Sequence, residues 1–239
     1  MPLADAEEAR ARLIAIAPAG FEEAERGTHV ELAAYGDAAE KLAAAFPDAQ
    51  IVEIEPGWED RWREFHRPVV IGPLWIGPPW EQPPADAVPV VIDPGRAFGT
   101  GSHPTTRLCL ELLLGQQPTS VLDVGCGSGV LSIAAAALGF APVAAVDFDS
   151  AAIEETNRNA RANAVEVDAR RGDAAAEALP AAALTLANIS LDVVSALRPR
   201  GEFLITSGYL ERDDPRVAGW ASVRRVVREG WAADLHAPR

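Results

Sequence analysis

The segment Val121–Gly129, with the sequence VLDVGCGSG, constrains the fold of this chain more than any other segment. Apolar residues around Asp123 predict a buried strand, and the alternate glycines Gly125, Gly127 and Gly129 predict a tight turn into a helix that ends near Gly139. A second predicted strand ends at Asp147. Glycines let the backbone approach a ligand closely, and an acid after the second strand can accept hydrogen bonds from ribose hydroxyls. The segment therefore predicts a nucleotide-binding strand–helix–strand unit.

The spacing of the glycines favours one class of nucleotide ligand. The pattern is G-x-G-x-G, whereas dinucleotide-binding proteins have G-x-G-x-x-G, and Asp123 precedes the first glycine by two positions. An acid there suits a ligand with a positively charged amino group and a sulfonium better than it suits a pyrophosphate. The combination resembles the motif of S-adenosylmethionine-dependent methyltransferases. A dinucleotide site shares the nucleotide half of the pattern, and Asp123 together with Asp147 favours the methyltransferase interpretation.

Length, charge and cysteine content limit the class of protein. A chain of 239 residues can form one full core and a small second domain. Cys109 and Cys126 have no metal-site spacing, so we expect no metal. We expect both thiols to be buried, which suggests a reducing compartment. The sequence has no signal-peptide pattern and no long apolar window, which predicts a cytoplasmic protein without membrane association. We also expect a monomer.

The net charge of −14 bears on the partner of this chain. Such a charge argues against a nucleic-acid backbone as the main partner and fits a basic protein substrate. Solubility alone would also account for the acidity, and the charge by itself favours that simpler explanation.

The first 56 residues have a pattern of their own. The pattern predicts an αββαβ order, which is a ferredoxin-like arrangement without its first strand and is suited to docking a substrate. The predicted elements are a helix at Ala6–Ala17, a hairpin of Gly20–Glu25 with Thr28–Ala34, a helix from Asp37 to Phe46, and a strand at Ala49–Glu55.

Residues 57–92 form a connector rich in proline and tryptophan. The prolines exclude a long helix, and Leu74-Trp75-Ile76 predicts a short strand between them. Four of the six tryptophans lie here, at Trp58, Trp62, Trp75 and Trp80. We expect them to fasten the connector to the core; a substrate-facing aromatic surface is the alternative.

Residues 93–239 alternate strands and helices, which predicts a doubly wound α/β domain of Rossmann-like class I methyltransferase type. The predicted helices are 104–114, 129–138, 150–163 and 190–197. The predicted strands are 121–124, 143–147, 165–170, 184–187 and 202–206, with a closing antiparallel hairpin of 223–227 and 231–235 around Glu229-Gly230.

The loop from Asp93 to Thr106 carries a second group of candidate ligand-binding residues. Pro104 is placed to start a helix, so that Thr105 and Thr106 present hydroxyls at its N-terminus. Phe98, between glycines, is suited to cover an apolar face of a ligand; a plain linker would not need it. His103 is either a general base or a helix cap, and we favour the cap.

Two further polar residues follow predicted strands. Asn188 ends the fourth strand of the domain, where side chains enter the ligand crevice of an open α/β sheet. Its carbonyl oxygen can accept a hydrogen bond from an attacking amine, or the residue caps the next helix. The following Ile189-Ser190 lacks the proline and aromatic of adenine-methylating enzymes, which disfavours a nucleobase substrate. Asp173 follows the third strand and either binds the adenine amino group or is a surface acid.

Several of these segments together resemble the ribosomal protein L11 methyltransferase family. They are Asp93-Pro94-Gly95, residues 97–101, 103–106, 123–129 and 187–189, and Glu229-Gly230-Trp231. The resemblance implies S-adenosylmethionine as cofactor and methylation of lysine side chains and of the N-terminal amine of that basic ribosomal protein. It also implies cofactor contacts at Thr106, Gly125, Asp147 and Asn188.

The missing first strand leaves the substrate open. The alternatives are a lysine methyltransferase of another protein, such as an electron-transfer flavoprotein subunit, and a regulatory module that binds cofactor without catalysis. We expect Asn188 to orient the amine, with Phe98 and Trp80 as walls and water as the proton acceptor. The predicted cofactor-binding residues are Phe98, Thr105, Thr106, Asp123, Gly125, Gly127, Gly129, Asp147, Asp173 and Asn188.

Overall fold

A computed structural model of the chain describes residues 21–26, 29–34, 39–47, 67–93, 101–174 and 176–239. The chain divides into two compact units, Met1–Arg61 and Trp62–Arg239. In the smaller unit, β1 (Phe21–Arg26) and β2 (His29–Ala34) pair antiparallel, and α1 (Ala39–Ala45) follows. The predicted hairpin and second helix are thus confirmed, whereas the predictions for Ala6–Ala17 and Ala49–Glu55 lie outside the described residues.

The larger unit begins with a three-stranded sheet made from the connector. Its strands are β3 (Val69–Ile71), β4 (Leu74–Gly77) and β5 (Val88–Val91), in the order β3–β4–β5. The strand predicted at Leu74-Trp75-Ile76 is confirmed, and all three side chains are buried. The flanking strands were not predicted because each is only three or four residues long and prolines surround them. Trp75, one of the connector tryptophans, is buried, as expected for a residue that fastens the connector to the core.

A seven-stranded sheet forms the centre of this unit. Its strand order is β11–β12–β10–β9–β6–β7–β8. The strands β10, β9, β6, β7 and β8 run parallel to one another, and β12 and β11 add to the β10 edge as antiparallel strands. The strands are β6 (Val121–Val124), β7 (Val143–Asp147), β8 (Asp168–Arg171), β9 (Leu184–Asn188), β10 (Phe203–Leu210), β11 (Trp220–Arg228) and β12 (Trp231–Pro238). The helices are α2 (Pro104–Leu113), α3 (Val130–Ala137), α4 (Ser150–Ala162) and α5 (Leu191–Ala196). The predicted doubly wound α/β architecture is confirmed.

Two predicted boundaries need correction. The third strand was predicted from 165, but the amide of Val165 bonds to the carbonyl of Ala160 and Ala164 has φ +53°, so these residues close α4 instead. The strand β10 continues past residue 206 to Leu210 through a bulge at Gly208. The final hairpin is longer than predicted, and its turn has positive φ at both Glu229 and Gly230, as a two-residue turn of this hand requires.

The core lies between the central strands and the helices that cover them. Leu108, Leu112 and Leu113 of α2 pack with Val121 of β6 and Leu184 of β9, all nearly inaccessible to solvent. Both cysteines are buried, as predicted. Among the helices that the structure describes, none is long and apolar enough to cross a membrane.

Candidate functional site

The register of the sheet brings the predicted polar residues to one edge. Val124 of β6 pairs with Val146 of β7 on one side and with Ala187 of β9 on the other. The next residues, Gly125, Asp147 and Asn188, therefore lie level with one another at the carboxyl ends of three adjacent parallel strands. The chain winds outward from β6 to β8 and then returns to β9, so this edge is the point where the winding direction reverses, and open α/β sheets bind ligands there.

The glycine loop between β6 and α3 has a backbone conformation in which other residue types would be strained. Gly125, Gly127 and Gly129 have φ of +73°, +55° and +82°, in the left-handed region that side chains disfavour. A Cβ at Gly125 would overlap Cγ2 of Ile189. The helix α4 fastens the loop from behind, because Thr156 Oγ1 donates to the carbonyl of Gly127 at 3.0 Å. The predicted glycine turn is therefore present and tightly enclosed.

Asp147 is bonded to this loop. Its Oδ2 accepts from the amide of Gly127 at 3.0 Å, and its Oδ1 accepts from the amide of Asp149 at 3.0 Å. Each carboxylate oxygen can accept a second hydrogen bond. The side chain is thus held in one orientation, with acceptor capacity left for a ligand at the sheet edge.

Asp123 is fully buried under the loop and caps the first turn of α3. Its Oδ2 accepts from both the amide and the hydroxyl of Ser132, which places a negative charge at a helix N-terminus. Its Oδ1 is buried without a partner among the described residues. Burial raises the pKa of Asp123 to about 6; the Ser132 bonds oppose this rise and the charge of Asp147 adds to it. The sequence did not reveal Ser132 as the partner.

Asn188 is bonded across the sheet edge to α2. Its Nδ2 donates to Oγ1 of Thr106 at 3.2 Å, and Thr106 is itself buried in the first turn of that helix. Because the amide nitrogen is engaged, the carbonyl Oδ1 is left as an acceptor. The alternative that Asn188 caps the following helix is wrong, since the N-cap of α5 is Ser190.

His103 has the structural role that the sequence favoured. It is the N-cap of α2, and its Nδ1 accepts from the amide of Thr105 at 3.3 Å and lies 2.7 Å from the Thr105 hydroxyl. Its ring packs edge-to-face on Trp231, with centroids 5.0 Å apart. Burial lowers the pKa of His103, although the charge of Glu229 partly offsets this. The neutral imidazole positions Thr105 and, through the helix, Thr106.

The end of β10 supports Asn188 from the other side. The carbonyl of Ser207 accepts from the amide of Ile189 at 3.1 Å, and a Cβ at Gly208 would overlap the Ile189 carbonyl. Beyond the bulge, the Tyr209 hydroxyl donates to Oδ2 of the buried Asp234 at 2.9 Å and lies 2.7 Å from the Thr206 hydroxyl. This buried network fixes the strand end against which Ile189 packs.

The remaining predicted residues have different outcomes. Asp173 is exposed beyond the end of β8, beside a cavity of about 180 Å³ that Val146, Gly172 and Leu179 help to line. Phe98 lies outside the described residues. Phe148, which directly follows Asp147 and leaves 74% of its surface exposed, is an apolar residue at this edge that the sequence analysis did not single out. An apolar residue after the strand-ending acid was the available signal.

This sheet order and edge site define a class I methyltransferase fold. A solved structure with it is the ribosomal protein L11 methylase of Lactobacillus delbrueckii subsp. bulgaricus, with a TM-score of 0.62, 28% identity, and coverage of 70% of this chain and 96% of the other. The family model described as Ribosomal protein L11 methyltransferase (PrmA) matches residues 7–233. The chain belongs to this family, as the resemblance of its motifs implied.

Curated relatives agree with the family model. The ribosomal protein L11 methyltransferase of Methylococcus capsulatus is 44% identical over 191 residues, which cover 73% of this chain and 65% of the relative. That of Pseudomonas putida strain W619 is 40% identical over 207 residues, which cover 79% and 70%. The matched part of the chain thus spans about two thirds of the length of these relatives.

Proposed function

We propose that this chain is an S-adenosylmethionine-dependent N-methyltransferase acting on lysine side chains, the N-terminal amine, or both, of ribosomal protein L11. The family and the names of its relatives support this activity and substrate. The observation that carries the proposal is the bond from Asn188 to Thr106, which leaves a fixed carbonyl acceptor at the ligand edge of the sheet.

The residues present fit such a cofactor. The loop glycines carry no side chains and have positive φ, so their backbone would be able to approach a nucleoside ligand closely. Asp147 would accept from the ribose hydroxyls. The buried, unpartnered Oδ1 of Asp123 would offset the positive amino group, directly or through a water molecule. Phe148 would cover the adenine, and Asp173 would accept from its amino group.

The other predicted contacts belong to the same proposal. Thr105, Thr106, Gly127 and Gly129 would contact the cofactor at this edge of the sheet, and Phe98 would cover the apolar part of the ligand. S-adenosylmethionine supplies an electrophilic methyl group when bound. The protein therefore has to deliver a neutral amine in the correct orientation, and such positioning is a large part of catalysis in a displacement reaction.

Deprotonation of the amine is the remaining requirement. A free lysine has a pKa of about 10.4 and is almost wholly protonated at neutral pH. Burial disfavours the charged form and so lowers that pKa. Oδ1 of Asn188 accepts from the neutral amine and directs its lone pair, while Thr106 holds the amide in place. Water takes the proton that leaves the nitrogen.

The domain assignment forms part of this proposal. Residues 1–56 dock the ribosomal protein, residues 57–92 connect, and residues 93–239 bind the cofactor. The residues proposed to contact the cofactor all lie in the last segment. Removal of residues 1–56 should therefore preserve cofactor affinity and abolish transfer to the ribosomal protein; full-rate methylation by the folded truncated protein would exclude the docking role.

The test of the catalytic role is methyl transfer to purified ribosomal protein L11. Asn188→Ala should lower kcat roughly ten- to thousandfold, because one oriented hydrogen bond in the reacting geometry is lost. Cofactor affinity, measured by calorimetry, should fall much less. The matched control is Asn157→Ala on α4, where, among the described residues, the side-chain amide bonds only to the carbonyl of Ile153 within its own helix; its kcat should stay normal. A stable Asn188→Ala protein with normal turnover would refute the role.

A further inference from the structure

A second cavity in the larger unit shares no lining residue with the sheet edge that carries Asp147 and Asn188. It has a volume of about 560 Å³ and lies between the strand β3 and one face of α2. We call it the β3 groove; it is lined by Val70, Ile71, Arg107, Glu111, Leu114 and Arg228. The three α2-side residues of this set recur three or four positions apart, so they share one helical face.

The two arginines of the β3 groove differ in whether their guanidinium groups have a partner. Arg228 pairs with Glu111, with Nη2 and Oε2 3.2 Å apart. In Arg107, Nε is buried and finds no hydrogen-bond partner among the described residues. A buried N–H of a charged group without an acceptor is costly, and native proteins rarely leave one. Arg107 as a whole is half-buried and has no ion pair within the described residues, so its guanidinium brings an unpaired positive charge to the wall of the groove, which a carboxylate at its terminal nitrogens would offset.

The wall of the groove indicates what kind of molecule carries that carboxylate. Within the part of the chain that the structure describes, β3 pairs only with β4, so it is an outer strand of its sheet. An outer strand presents unpaired backbone N–H and C=O groups to which an extended peptide can add. Val70, in the middle of β3, is 63% exposed, and Ile71 and Leu114 provide an apolar floor. These features suit a peptide strand better than a small free anion.

We propose that the β3 groove binds an extended acidic peptide segment of a partner protein, which adds to the outer edge of β3 and places one carboxylate on Arg107. Charge complementarity supports an acidic partner at this position. The groove carries two arginines against one glutamate, whereas the whole chain has a net charge of −14 that repels acidic peptides elsewhere. The proposal is independent of the methyl transfer activity.

The experiment measures the fluorescence anisotropy of a labelled peptide, Val-Glu-Val-Glu-Val-Glu, titrated with the full chain. Arg107→Gln should weaken binding at least about tenfold, because a charge-assisted bond is lost. The matched control is Arg216→Gln, which removes the same charge from an exposed arginine paired with Asp214, and it should bind as the wild type does. Equal affinity of wild type and Arg107→Gln would overturn the proposal, as would absence of binding by the wild type.

Two further comparisons remain valid if Arg107→Gln proves unstable. At the exposed position 70, Val70→Glu should repel the acidic peptide, whereas Val70→Lys should not. Both variants should keep the melting temperature of the wild type. Equal binding by the two variants would contradict the proposed location. A peptide N-methylated on alternate residues loses the backbone donors needed for strand addition, so it should bind at least about tenfold more weakly. Undiminished binding of that peptide would exclude addition to β3.

Discussion

Replacing Gly125 by alanine should cost far more stability than one added methyl group suggests. Gly125 has φ +73°, and a Cβ there would overlap Cγ2 of Ile189. Left-handed backbone costs an ordinary residue about 1–2 kcal/mol. Forcing an extra methyl group into a packed site adds about 1–3 kcal/mol. We therefore expect Gly125→Ala to lower the free energy of unfolding by about 2–5 kcal/mol.

Two other variants separate the backbone part of this cost from the steric part. Gly139 has φ +88° but open space around its position, so Gly139→Ala should lose only the backbone cost of about 1–2 kcal/mol. Ile189→Ala removes the methyl group that the new Cβ would meet. In a double-mutant cycle, Ile189→Ala should therefore recover the steric part, with a favourable coupling of about 1–3 kcal/mol.

The assay is urea denaturation of the wild type and the four variants, followed by circular dichroism, with calorimetric titration of S-adenosylmethionine on each folded protein. Cofactor affinity should fall in Gly125→Ala and should be unchanged in Gly139→Ala. If Gly125→Ala loses no more stability than Gly139→Ala, or if the cycle shows no coupling, then Ile189 does not limit the loop and the steric argument fails.

Three other perturbations test the site and its support. Asp147→Ala should weaken S-adenosylmethionine binding roughly ten- to hundredfold through lost charge-assisted hydrogen bonds, and unchanged calorimetric affinity would remove Asp147 from the site. Burial raises the pKa of Asp123 from 3.8 to about 6, so the folded state holds this proton more tightly than the unfolded chain does. The protonated carboxyl therefore contributes fully to stability below a pH of about 4. As the pH rises through about 6, the free energy of unfolding falls by up to about 3 kcal/mol. Asp123→Asn should lack that decline in urea titrations, and parallel pH profiles would contradict the assignment. Tyr209→Phe removes a hydrogen bond to the buried carboxylate of Asp234 and should cost about 1–3 kcal/mol in the free energy of unfolding; a loss below about 0.5 kcal/mol would show that the network is not needed.

Several features followed from the sequence because short segments determine them. The apolar run at 121–124 and the three alternate glycines predicted β6 and its turn, since buried parallel strands and left-handed backbone select those residue types. Pro104 predicted the start of α2, and Glu229-Gly230 predicted the turn of the last hairpin, where both residues have positive φ. The positions of Asp147 and Asn188 at strand ends followed as well, and the register of the parallel strands then places both level with Gly125 at one edge.

Other features depend on residues that are far apart in the chain, and no local pattern encodes them. The amide of Asn188 is oriented by Thr106, and the Oδ2 atom of Asp123 is taken by Ser132. The unpartnered Nε of Arg107 becomes visible only once β3 and α2 are packed together. Sequence spacing predicts which backbone segments form and in what order they adjoin. Which side-chain atoms remain available to a ligand depends on packing, because each buried polar group bonds to whichever partner the folded chain brings within reach.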